Sequence, residues 1–144
     1  MHDLSNVSPL GSLLVRIART HRTSVSQALD ALGLHVGQEL LLAHLCGREG
    51  IGQTALAAAL GVELPTVHRS LARLERAGFV ERRSDPGDAR ASHAYLTPRG
   101  RATCERIREI WVEAEAKLND VLAPDECADL QRLLGALAER IERG

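Results

Sequence analysis

Residues 84–100 read SDPGDARASHAYLTPRG, with two acids, Asp85 and Asp88, close to one base, Arg90. A carboxylate beside an Arg can pin its long side chain and so reduce the entropy lost when the guanidinium makes a contact. A pre-aimed Arg on a narrow β-hairpin suits insertion into the minor groove of duplex DNA, whose negative potential attracts guanidinium. Arg82 and Arg83, on the run just before, would then stand near phosphates. Taken alone, the same residues also fit a solvated hairpin with no ligand.

A second set of groups lies upstream, in QTALAAALGVELPTVHRSLARLE (residues 53–75). Two helices meeting at a tight turn need a small residue where their backbones approach, supplied here by Ala57. They also need a residue that tolerates positive φ at the turn, supplied by Gly61. Val67 then plugs the second helix against the first. On the other side of that second helix, Thr66, Arg69, Arg73 and Arg76 recur at i, i+3, i+7 and i+10, with His68 beside them. A recognition helix enters the major groove by its N-terminal turns, where Thr, His and Arg can reach base edges. An ordinary αα-hairpin with a charged, solvated face is the competing reading of this segment.

The elements that must hold these groups follow from periodicity. Residues 9–32 carry apolar side chains at helical spacing (Leu10, Leu14, Ile17, Val25, Ala28, Leu29, Leu32), which predicts a helix with one buried face, stopped by Gly33. Further helices are expected over about 36–48, with Leu41, Leu42 and Leu45 inward, over 53–60, and over 64–77, with Val67, Leu71 and Leu74 inward. The period then changes. Residues 79–83 and 92–97 are β-type runs, and Pro86-Gly87 lies between them, so a hairpin with a long tip is expected. Helical spacing returns over 98–122 (Ile107, Trp111, Ala114, Leu118, Val121) and again after Pro124 (Leu130, Leu134, Leu137, Ile141). The expected fold is therefore mainly α with a small β-hairpin wing: a winged helix-turn-helix flanked by long amphipathic helices that find no obvious partner in the middle of the chain.

Composition narrows the class. Of the 144 residues 44% are hydrophobic and only 2% aromatic, so the core must be aliphatic. The formal net charge of −1 gives no global attraction to a polyanion, which leaves any such attraction to local patches. Lys117 is the only Lys, and base composition of the genome explains such Arg usage as well as function does. No charged leader precedes a long apolar run, and no apolar stretch approaches the roughly 18 residues of a membrane span, so a cytoplasmic protein without membrane contact is expected. Cys46, Cys104 and Cys127 are three in number and show no CxxC spacing, which argues against a disulfide framework and a structural zinc site. Cys104 falls on an inward stripe, where Cys usually serves as packing. Cys127 opens the last helix and is the better redox candidate. His21, His44 and Glu39 are the weak starting point for any metal set. No nucleophile–base pair, metal set or phosphate loop stands out, so neither an enzyme nor a cofactor is expected.

The run GFVERRSDPGDARASHAYLTPRG resembles the wing signature of the multiple antibiotic resistance regulator (MarR) family of winged-helix regulators: two Asp and an Arg at this spacing, a strand, then LTxxG. LHVGQELLLAHL resembles the family's second helix, Gln38 included. The resemblance covers nearly the whole chain. It implies a homodimer in which residues 1–34 and 98–144 form a helical dimerisation lobe and residues 35–97 the DNA-binding lobe. It also implies repression at a palindromic operator on double-stranded DNA, relieved by a small-molecule effector or an oxidant. Carried onto this chain, it places Thr66, His68 and Arg69 at the major groove, Arg90 in the minor groove, Gln53 towards phosphate, and Asp85 and Asp88 as wing support; Arg73 and Arg83 join the candidate DNA contacts from their place on the helix face and the strand. An effector pocket would border His21 and Glu39. His68 stands where many members have Ser or Thr, which points to a different operator. Glu39 stands where an aromatic is frequent, which argues against a flat phenolic ligand. Two other readings stay open: a winged-helix module for protein contacts without specific DNA binding, and a thiol-based redox-responsive regulator. At His21 a core or interface histidine competes with a ligand contact.

Overall fold

A computed structural model of the chain describes residues 4–144, the side chains of residues 4 and 89–91 excepted. A short 3-10 turn, Leu4–Asn6, leads into α1 (Pro9–Asp30), α2 (Gln38–Gly47), β1 (Ile51–Gly52), α3 (Gln53–Leu60), α4 (Leu64–Arg76), β2 (Val80–Asp85), β3 (Asp88–Leu96), α5 (Pro98–Asn119) and α6 (Pro124–Glu142). The fold is mainly helical with one small antiparallel sheet of order β1-β3-β2. The chain divides into two compact units, one ending at Ile110 and the other comprising Trp111–Gly144. None of the described helices is both long and apolar enough to cross a membrane.

The first unit has the aliphatic core that the composition demands. Leu29, Leu42, Leu45, Leu56 and Leu71 are fully enclosed, and Phe79, the only Phe, joins them. The helix-turn-helix is built as its residues require. Ala57 is buried between the helices, and its carbonyl accepts the Val62 N–H at 3.1 Å. Gly61 ends α3 in the left-handed region, at φ 65°, where a Cβ would be strained.

Some sequence expectations need correction here. The hairpin is regular only at its base: β2 and β3 keep one register from Val80↔Leu96 to Ser84↔Ser92, then shift to Asp85↔Asp88, so its end is irregular, with Pro86-Gly87 at the turn. Asp85 closes that turn by accepting the Gly87 N–H at 2.9 Å, an Asx-type turn that competes well with open loop. Ladder pairing has overridden the low strand preference of Ser, Asp and Ala in these runs. The two-residue β1, which pairs Ile51 with Ala94 and Gly52 with His93, is too short to leave any periodic trace. Helix α2 starts at Gln38, two residues later than expected, because Gly37 has φ 101° and cannot be helical.

A further correction concerns the cysteines. Cys46 and Cys104 form a disulfide between the end of α2 and the second turn of α5, with Cα atoms 5.9 Å apart. Bond and packing are not alternatives at this site: Cys104 stays half-buried while Cys46 is exposed. The loop it closes spans 58 positions, for which a chain-entropy estimate of the stabilisation is about 4 kcal/mol. Cys127 is the free cysteine, half-buried, its Sγ 3.7 Å from the Asn119 carbonyl oxygen.

The LTPRG motif is a tie between wing and helix. The Thr97 N–H donates to the Phe79 carbonyl at 3.1 Å, and the Thr97 hydroxyl donates to the Gly78 carbonyl. That hydroxyl also accepts the Gly100 N–H at 3.1 Å, capping the first turn of α5. Close by, Glu49 accepts the Leu96 N–H at 2.8 Å and pairs with Arg101 at 2.9 Å. These bonds hold the Glu49 carboxyl below the ordinary range, the Leu96 N–H being the main cause.

The flanking helices differ from a simple buried stripe. In α1 only Val25 and Leu29 are buried, whereas Leu10 is 71% exposed and Leu14 and Ile17 are also open. No residue of α6 is buried, and Leu130, Leu133, Leu134, Leu137 and Ile141 all face outward on the chain.

Candidate nucleic-acid interface

Helix α4 is anchored by one face and open on the other. Val67, Leu71 and Leu74 are buried at i, i+4 and i+7, while His68, Arg69, Arg73 and Arg76 are exposed and Thr66 half-buried. Pro65 sits in the first turn, where its missing N–H costs nothing. Arg73 and Arg76 occupy the last turn, where cations complement the helix dipole. The result is a rigid helix that presents a continuous polar, cationic surface.

The wing is aligned to this helix by a residue the sequence reading did not single out. Glu75 accepts from Arg82 through Nη2 at 3.0 Å, Nε at 3.3 Å and the backbone N–H at 3.2 Å. The Arg82 hydrogen bonds hold the Glu75 carboxyl below the usual carboxylate range. Arg82 therefore joins β2 to α4, and its guanidinium is committed to that carboxylate. Arg83 pairs with Glu81 and lies over the Tyr95 ring, 4.1 Å from its centroid; its side chain is 60% exposed, and it projects from the sheet. The backbone of Arg90 belongs to β3, but its side chain lies outside the described residues, and so does the question of whether Asp85 and Asp88 pin it. The described bond of Asp85 goes to the turn.

Gln53 and His68 border the same hollow. They line one concavity of about 300 Å3 together with Thr54, Leu64, Ser92 and His93. The pairing of β1 with β3 creates it, because it sets Gly52 opposite His93 and so brings the start of α3 to the base of the wing. Gln53 is 9% exposed; its Nε2 donates to the Ser92 hydroxyl, and its Oε1 has no described partner. The first N–H groups of α3 open the same hollow, with no side chain capping them. A polar recess with donors at a helix N-terminus suits a phosphate oxygen. Thr54, Ser92 and His93 are absent from the sequence-level candidates. The alternation in SHAYL gives the one available signal, by setting His93 and Tyr95 on the same face of β3.

The two residues considered for an effector pocket lie in α1 and α2. His21 is half-buried. Glu39 is 1% exposed, and its carboxylate accepts the Gly37 N–H at 2.6 Å. Burial raises its pKa, while hydrogen bonds from its own N–H and that of Gly37 oppose the shift. Glu39 thus ties down the turn that leads into α2, together with Gln38, whose Oε1 accepts the His35 N–H at 3.0 Å. Among the described residues, His21, His44 and Glu39 are not gathered into a metal-binding group.

Comparison with known proteins agrees with this geometry. The family model described as MarR family matches residues 32–91, which include the helix-turn-helix and most of the wing. The HTH-type transcriptional repressor Rv2887 of Mycobacterium tuberculosis is 32% identical over 134 residues, 93% of this chain and 96% of that protein. A Cys-to-Ser mutant of MarR from E. coli complexed with operator DNA is 28% identical at a TM-score of 0.84, covering 95% of this chain and 99% of that one. The MepR–DNA complex of S. aureus gives 26% identity and a TM-score of 0.84, covering 91% and 97%. An aliphatic winged helix-turn-helix, a wing closed by LTPRG and a relative matched over almost its full length place this chain in the MarR family of transcriptional regulators.

Proposed function

We propose that the protein is a homodimeric repressor that binds a palindromic operator in the cytoplasm. One observation carries this reading: the anchored helix α4, whose outward row of half-buried Thr66 and exposed His68, Arg69 and Arg73 borders, through His68, the Gln53 concavity at the start of α3. The row is suited to base edges and the concavity to a phosphate, so a single docking pose uses both. Arg83 and Arg90 on the wing would add phosphate and minor-groove contacts, with Asp85 and Asp88 shaping the turn. Residues 35–97 would form the DNA-binding lobe, and residues 1–34 and 98–144 would form the dimerisation lobe, where the exposed apolar side chains of α1 and α6 meet a second copy. Release by a small-molecule effector is the part of this reading that rests on family resemblance. A ligand for Glu39 would have to displace the Gly37 hydrogen bond.

Selection of bound sequences from random duplex DNA tests the core of the proposal. The expected product is a two-fold symmetric sequence with half-sites about one helical turn, roughly 34 Å, apart. Enriched sequences without symmetry would exclude this docking. His68→Ser should then change the preferred bases at symmetric positions, because a good base contact discriminates by about 1–3 kcal/mol. A uniform loss over all sequences would instead place His68 on the backbone.

Arg90→Ala separates binding from folding. Surface substitutions usually shift stability by less than about 0.5 kcal/mol, so the melting temperature should stay close to that of the parent. Affinity should fall and its salt dependence should become shallower, since one cationic contact is lost per half-site. An unchanged salt slope would remove Arg90 from the interface.

A further inference from the structure

Every candidate DNA contact from Gln53 to Arg90 lies inside one covalent ring. The Cys46–Cys104 bond closes it, joining the last turn of α2 to the second turn of α5. The ring contains β1, α3, α4, β2 and β3 complete. The non-covalent fastening near the same seam is the Glu49 carboxylate, through Leu96 and Arg101. The bond does not lie deep in the core: Cys46 is an exposed residue and Cys104 a half-buried one, which puts the bond at the edge of the fold on the Cys46 side.

A repressor works where the chromosome is. There, low-molecular-weight thiols keep most cysteines reduced, and the disulfides that do form are mostly transient and redox-sensing. On the DNA-binding reading above, a disulfide at the edge of the fold, around the whole recognition segment, is therefore a poor permanent staple. We propose that Cys46 and Cys104 are a reversible redox-modification site, exchanging with a low-molecular-weight thiol and its disulfide, and that the bonded form is the tighter DNA binder.

The exchange balances without any other reactant. A small thiolate attacks the Cys46 sulfur; the Cys46–Cys104 bond breaks, and Cys104 leaves as a thiolate that takes up a proton. A second small thiolate attacks the mixed disulfide, freeing Cys46 as a thiolate, which also takes up a proton, and producing the small disulfide. Two electrons have passed from two small thiols to the protein. Oxidation is the same sequence run backwards. With the bond made, the ends of the recognition segment are held together before DNA arrives. With it broken, binding must first restrict that freedom, and the dithiol form binds less tightly.

The test uses the full-length chain with Cys127→Ser, so that only this pair titrates. The protein is equilibrated in mixtures of reduced and oxidised glutathione, the pair is scored by thiol alkylation and mass, and affinity for the selected duplex is measured in the same samples. The expected result is a reversible titration, with the dithiol form still helical and still binding, but about tenfold more weakly, within the ordinary range of coupling between two sites. Cys46→Ser with Cys104→Ser should sit at the weaker affinity in every mixture. A bond that persists in excess reduced glutathione, or a dithiol form that loses its helices, would make the pair a staple and overturn the proposal. So would affinities that differ by less than about twofold, below the usual coupling range. If neither form binds any duplex, the DNA-binding reading itself fails, and the switch of DNA affinity fails with it. A titrating pair with equal affinities in both forms rejects the switch alone.

Discussion

Leu130→Asp combined with Leu134→Asp is expected to give a folded monomer that has lost specific DNA binding. Both side chains are more than 40% exposed on the chain, so the charges are solvated there and the helix should persist. In the proposed dimer the same positions are covered by the second copy. An unpaired carboxylate buried at an interface costs several kcal/mol even after relaxation, which is enough to dissociate a dimer of ordinary affinity. Loss of the dimer separates the two half-site readers, so affinity for a palindrome should drop by several orders of magnitude while circular dichroism stays helical. Sedimentation and binding measured on the same sample check the two effects together. A double variant that sediments as a dimer and still binds would show that α6 does not form the interface. The apolar row itself motivates the claim: contiguous exposed patches of this kind on a soluble chain usually mark an interaction surface.

Gly100→Ala should cost about 3 kcal/mol, the upper end of what overpacking usually costs. A Cβ at residue 100 would overlap the Phe79 carbonyl oxygen and stand 3.0 Å from its carbonyl carbon, with the Leu96 side chain at 3.3 Å. The obstacle is backbone that already accepts the Thr97 N–H, so neither side can give way cheaply. The junction between wing and α5 would have to open. A urea midpoint lowered in proportion, with unchanged slope, is the expected reading. A midpoint equal to the parent's would mean that α5 can shift at no cost. The glycine of the LTxxG signature thus has a steric reason in this chain: the helix begins too close to the preceding turn to admit a methyl group.

Much of the frame of the candidate interface is legible in the sequence. Gly61 at the turn, Ala57 at the close approach and the buried row Val67, Leu71, Leu74 follow from backbone preference and a 3.6-residue period. The exposed row on α4 is the geometric complement of that buried one, so its face is legible too. Two flanking features were not legible in this way. The stripe of α1 appeared as one buried face, yet its first half is exposed and only Val25 and Leu29 are enclosed. Periodicity identifies an apolar face but cannot say whether the same chain covers it. Glu39 reads as a polar residue beside apolar surface, and only the fold shows its carboxylate holding the Gly37 N–H in the turn before α2.

The sequence by itself determined the order of the elements, the turn at Gly61, the inward and outward faces of α4 and the presence of a wing, because each depends on residues within a few positions of one another. Tertiary structure decided that Cys46 meets Cys104, that Glu75 rather than a phosphate holds Arg82, and that Gln53 meets Ser92 and His93. The disulfide joins positions 58 apart and the Gln53–Ser92 bond positions 39 apart, and such pairings leave no mark on local spacing. They arise when packing of the aliphatic core brings distant backbone segments together, and only then do the side chains standing there find each other.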